Sequence, residues 1–133
     1  MPSEDFSQDY LTEVAKACDF CLKPCSYSVI DNSGDQKNYN DNKVIDLILI
    51  GECRSSDGKR LPDNDLEIEI YRSGLDISIT LSWLSFPNKP ILWHRKHSLW
   101  MDSTSGSRVD TPDAAYKLEA LARRLRSSFC LDE

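Results

Sequence analysis

Leu66-Glu67-Ile68-Glu69-Ile70-Tyr71-Arg72-Ser73-Gly74-Leu75-Asp76-Ile77-Ser78-Ile79-Thr80-Leu81-Ser82-Trp83 is the stretch on which the fold turns. Leu66, Ile68 and Ile70 alternate with Glu67, Glu69 and Tyr71. Leu75, Ile77, Ile79, Leu81 and Trp83 then alternate with polar residues. A period of two over this length is the pattern of two half-buried strands. Ser73-Gly74 supplies a two-residue hairpin loop in which Arg72 faces Leu75, and the register sets Ile70 against Ile77, Ile68 against Ile79 and Leu66 against Leu81. The hairpin so formed has one apolar face, which the rest of the chain must cover.

Working outward, Val44 to Cys53 is nearly continuous apolar sequence rich in β-branched residues, as expected of a central strand covered on both faces. Ser26 to Ile30 forms a short strand, and Asp31 to Asn42 is a loop of residues that bond their own backbone. Phe86 to Pro90 makes a turn into a strand from Ile91 to Met101. From Ser3 to Leu22, Phe6, Tyr10, Val14, Ala17 and Cys21 repeat at helical spacing, with Ser3 able to cap the first turn and Pro24 a stop. Thr111-Pro112-Asp113 is a helix start for the stripe of Ala114, Leu118, Leu121, Leu125 and Phe129. The pattern predicts one α+β domain over residues 1–133: an N-terminal helix, an antiparallel meander of four or five strands and a C-terminal helix, the helices packed on one face of the sheet.

With 22 acidic and 16 basic side chains the net charge is −6, which disfavours broad attraction to phosphate backbones or anionic lipid. No apolar run approaches membrane-spanning length, and the acidic start Met1-Pro2-Ser3-Glu4-Asp5 lacks the features of a secretory signal. A soluble cytoplasmic protein without a membrane partner is expected. Its five cysteines are then free thiols.

Few constellations suggest chemistry. Cys18-x2-Cys21-x3-Cys25 is the most metal-like spacing, but Cys18 and Cys21 already belong to the helix stripe, and no second close pair completes a site. Glu67 and Glu69 share a strand face, where alternating acids are ordinarily solvated. The glycines stand singly, so no phosphate-cradling loop is present. Enzyme activity has no positive support in the sequence, and no metal or cofactor is expected.

The remaining signal is Trp93-His94-Arg95-Lys96-His97-Ser98-Leu99-Trp100, where positive charge and aromatic surface meet in an acidic chain. In one unbroken strand, alternation sends Arg95 and His97 to one face, and His94 and Lys96 to the other. If Ser85 pairs with Ile91, then Trp93, Arg95, His97, Leu99 and Met101 join the apolar face, with Trp83 opposite Trp93. A slip of one residue exchanges the two sets. Tryptophan and arginine are enriched at binding hot spots, so Trp93, Arg95, Lys96, His97 and Trp100 are the candidate contact residues.

The run Leu92-Trp93-His94-x2-His97-Ser98-Leu99-Trp100-Met101-Asp102, followed by Leu118-Glu119-Ala120-Leu121-Ala122-Arg123-Arg124-Leu125, resembles short uncharacterised proteins of a cyanobacterial family. The resemblance covers the C-terminal half, from about Leu66. It implies a cytoplasmic protein of unknown function and supplies no catalytic residues.

The function expected is a non-enzymatic binding or assembly module that contacts an acidic protein partner or an anionic small ligand through the Trp93 to Trp100 strand. One alternative is a single-stranded nucleic-acid-binding sheet, with Trp93 or Trp100 as stacking surfaces and Arg95, Lys96 and Arg108 near phosphates. Another is a small-ligand or enzymatic pocket between sheet and helices, lined by Arg95 and His97.

Overall fold

The computed structural model describes residues 3–33, 44–113 and 115–129 and, in the first helix, side chains from Tyr10 onward. The Ser3 cap, most of the Asp31 to Asn42 loop, Ala114 and Cys130 lie outside the described residues. The elements run α1 (Ser3–Cys21), β1 (Ser26–Asp31), β2 (Val44–Arg54), β3 (Leu66–Ser73), β4 (Asp76–Trp83), β5 (Ile91–His94), β6 (Ser98–Met101) and α2 (Tyr116–Ser128). The strands form one six-stranded sheet in the order β1-β2-β3-β4-β5-β6, every described pair antiparallel. The α+β class and the two flanking helices match the pattern reading. The strand count is six rather than four or five.

The extra strand comes from the segment read as a single strand from Ile91 to Met101. It breaks into a hairpin in which His94 pairs with Ser98, leaving Arg95, Lys96 and His97 as its loop. None of these is a turn-forming residue, so the break leaves no local mark. The β3–β4 hairpin also differs in register: Ser73 pairs with Asp76, so the loop is Gly74-Leu75, and Ile70 meets Ile79 while Ile68 meets Leu81. Gly74 has φ 63°, the left-handed value that the first central residue of a tight hairpin turn needs, and glycine adopts it at less cost than Ser73 would. The shift is even, so the apolar faces still coincide. Leu75 is thrown out to 78% exposure.

Both helices lie on one face of the sheet. α1 packs on β1 and on α2, and α2 packs on β4 and β5. The covered face consists of Ile45, Leu47, Leu49 and Cys53 of β2, Leu66, Ile68 and Ile70 of β3, Ile77, Ile79 and Leu81 of β4, Leu92 of β5 and Trp100 of β6, all buried. Val14, Ala17 and Cys18 of α1 and Leu118, Leu121, Ala122 and Leu125 of α2 close over them. Burial of each such leucine or isoleucine stabilises the fold by about 1.5–3 kcal/mol. α2 begins at Tyr116 rather than at Thr111-Pro112-Asp113, and no side chain caps it.

Two polar side chains on the covered side are tied into the fold. Asp65 Oδ1 accepts bonds from the Cys53 amide at 2.8 Å and from Arg60 Nη1 at 2.9 Å, and Oδ2 accepts one from Arg60 Nη2 at 2.9 Å. Arg72, buried at the other end of β3, donates from Nη1 to the Phe129 carbonyl at 2.8 Å, holding the end of α2. β2 departs from the expectation of two covered faces. Ile48 and Ile50 point to the side opposite the helices and are only half-buried, and Asp46 beside them is exposed.

Candidate functional site

Register settles the faces of the basic segment. Thr80 pairs with Trp93 and Ile79 with His94, so Trp93 stands on the open face of the sheet and His94 on the covered one. This corrects the division expected from an unbroken strand. His94 goes inside, at 5% exposure, while Arg95, Lys96 and His97 sit together in the exposed β5–β6 loop. The physical reason is the hairpin: its loop keeps the Arg95 and Lys96 charges, with His97, out of the core, where an unpaired charge is costly.

The loop residues converge with a returning strand end. After β6 the chain turns through Asp102 to Ser107, with Gly106 at φ 74°, and Arg108 bridges back to Met101. Trp93, Leu99, Arg95, Lys96, His97 and Arg108 then line one hollow of about 530 Å³, with Asp76 at its rim. A smaller hollow of about 260 Å³ on the other side of Trp93 shares Asp76 and Arg95 and reaches Tyr71 and Ser78. Arg95 Nη2 lies 3.6 Å from Asp76 Oδ2, with the two side chains 54% and 71% exposed. An ion pair so long and so wet is weak, which leaves the guanidinium free to take another acceptor.

Trp100 is not brought to this hollow. It lies on the covered face at 4% exposure, paired in register with Leu92, and its Nε1 donates to Glu119 Oε2 of α2 at 2.8 Å. Asp76 and Leu99 were not singled out by sequence; their place follows only once the registers of β4, β5 and β6 are known. Arg108, considered only beside nucleic acid, joins through the turn after β6.

Behind the sheet, burial first, then the nearby Arg126 and Arg123, hold the His94 imidazole below its ordinary pKa. Its Nδ1 has no hydrogen-bond partner among the described residues. A separate hollow of about 460 Å³ on the helix side, between Leu22, Trp83, Trp100 and Leu118, contains neither Arg95 nor His97. Cys18 lies in the core, where burial, with smaller contributions from Asp19 and Cys21, pushes its thiol up to about 12. Metal binding requires thiolate, so this environment is unfavourable to a ligand role. Cys21 and Cys25 pack at the edge of the same core, and no metal-holding cluster occurs among the described residues.

No described helix is long and apolar enough to cross a membrane. No curated protein and no solved structure matches the chain. A family match runs over residues 11–128, taking in the cysteine-bearing N-terminal half as well as the half that holds the hollow. On that match the chain belongs to the family described as Domain of unknown function (DUF8659).

Proposed function

We propose that the chain is a non-enzymatic, cytoplasmic binding or assembly module that receives an anionic group, borne by an acidic protein surface or a small ligand, in the hollow beside Trp93. One observation carries this reading: Arg95, Lys96, His97 and Arg108 gather around Trp93 in a single open hollow of a chain whose net charge is −6. Cations held this close on an acidic molecule repel no anion locally and present several donors to one acceptor group. The indole supplies an apolar wall against which an acidic side chain or ring can pack.

The nucleic-acid alternative is less favoured, because Asp46, Glu67 and Glu69 share the open face with Trp93 and would stand against phosphates. A fluorescent hexaglutamate peptide is a suitable probe of the anionic reading, followed by anisotropy at low and moderate salt. Saturable binding is expected, weakened by about tenfold in Arg95→Ala/Lys96→Ala, equivalent to roughly 1.4 kcal/mol. Trp100→Phe, on the other side of the sheet, leaves it unchanged. Binding indifferent to the loop substitutions, or no saturable binding, overturns the reading.

A further inference from the structure

Around Glu67 and Glu69 the open face carries isoleucines on one side and Trp93, Ile91 and Met101 on the other, and the registers show how these residues align. One row across the sheet runs Ile48, Glu69, Thr80, Trp93, Leu99 from β2 to β6. The row beside it runs Ile30, Ile50, Glu67, Ser82 from β1 to β4, and Ile91 and Met101 continue it one step beyond the paired Leu81 and Leu92. On the other side Asp46, Tyr71 and Ser78 form a row that points at Arg95. Within these rows Ile30, Ile48 and Ile50 stand on β1 and β2, with Asp46 at the end of β2; Glu67, Glu69 and Tyr71 stand on β3, hydroxyls on β4, and Trp93, Ile91, Leu99 and Met101 on β5 and β6.

We propose that a second copy of this chain docks on this face, the two sheets packing face to face about a twofold axis that runs along the strands between β3 and β4. The proposal rests on the anionic reading above and names the acidic partner: the β2–β3 half of another copy. Such an axis carries β1 onto β6, β2 onto β5 and β3 onto β4 of the partner without moving any row along the strands. Ile48 then meets Trp93, Ile50 meets Ile91, and Ile30 meets Met101. Glu67 and Glu69 meet Ser82 and Thr80, whose hydroxyls donate to carboxylates, and Asp46 meets Arg95. Every contact occurs twice, as an isologous interface requires. Packed sheets lie about 10 Å apart with strands within about 30° of alignment, a rotation small enough to keep these rows in reach of one another.

Two further observations agree. β2 has the sequence of a strand covered on both faces, and the described residues cover only one of them. Partial desolvation, then the neighbouring Glu67 and Asp46, push the Glu69 carboxyl above its ordinary range, so this column of carboxylates is crowded by like charge and gains from an added hydroxyl donor or cation opposite it.

Sedimentation velocity across a micromolar concentration series tests this on the full chain. The expected result is a reversible dimer, with Asp46→Arg and Arg95→Asp each weakening it about tenfold and an equimolar mixture of the two variants restoring it, one decade in Kd being the measured change. The mixture is decisive, because misfolded variants do not rescue each other. Ile48→Lys, outside the Trp93 hollow, yields a monomer that still binds the hexaglutamate probe. A monomeric wild-type chain, or a dimer indifferent to Ile48→Lys and to the charge exchange, overturns the pairing. If such a monomer binds the probe, the anionic reading survives it; if the probe fails on the Ile48→Lys monomer while the charge exchange governs dimerisation, the hollow serves assembly alone.

Discussion

His94 and Asp65 place titratable groups on the covered side of the sheet with opposite electrostatic company. Burial and two arginines hold the His94 imidazole below its ordinary value, so the unfolded chain takes up this proton first as pH falls. Its contribution is therefore complete above the unfolded histidine value of about 6.5 and declines as pH drops through the lower folded value. Asp65 is held below the usual carboxylate range chiefly by its bonds from Arg60, so its contribution is complete above about 3.9 and fades only in stronger acid. Denaturant midpoints measured across pH should decline in two separate windows, with His94→Gln flattening the upper one and Asp65→Asn the lower. An upper window unchanged in His94→Gln assigns that decline to another group. At this scale the sequence divides His94-Arg95-Lys96-His97 between two strand faces, whereas the hairpin sends only His94 inside and leaves the other three as a loop. The sequence does not say which residue goes inside, because no register makes the segment uniformly amphipathic and a one-residue slip exchanges the faces.

Between elements, the Trp100–Glu119 bond joins the short edge hairpin to α2. Trp100→Phe keeps the aromatic packing and strands a carboxylate, whereas Glu119→Ala removes the acceptor and leaves a buried indole N–H. Each is expected to lower unfolding free energy by about 1–3 kcal/mol, with a coupling of roughly 1 kcal/mol in the double-mutant cycle. Additive losses in denaturant unfolding would show that the bond contributes little and that packing alone fixes Trp100. This is also why Trp100 misleads in the sequence: a tryptophan near Arg95, Lys96 and His97 looks like a contact residue until the hairpin turns it to the other face. The elements that strict alternation marks, β3 and β4, are legible to the face if not to the turn residue. Where the turn is Arg95-Lys96-His97 and the helix start has no cap, the sequence carries no local signal.

Over the whole molecule, a meander joins each strand to its neighbours in sequence, and cohesion falls from the middle of the sheet toward its edges. β3 is hydrogen-bonded on both sides along its length and buries Leu66, Ile68 and Ile70 under the helices. β6 is four residues long and, among the described residues, is bordered on its outer side only by the Arg108 bridge to Met101 and the Val109 amide on the Trp100 carbonyl. Opening it exposes little beyond Trp100, so amides of β6 should exchange through local opening while those of β3 await global unfolding. Hydrogen exchange should therefore show β6 protection lower by about a hundredfold or more, a difference of roughly 2.7 kcal/mol in opening free energy. Face-to-face pairing leaves both sheet edges free, so dimerisation slows the whole pattern without reordering it. Equal protection of β6 and β3 would instead mean that the bond to Glu119 locks the edge hairpin to the core. The loop carrying Arg95, Lys96 and His97 would then be a rigid platform rather than one able to adjust to an anion.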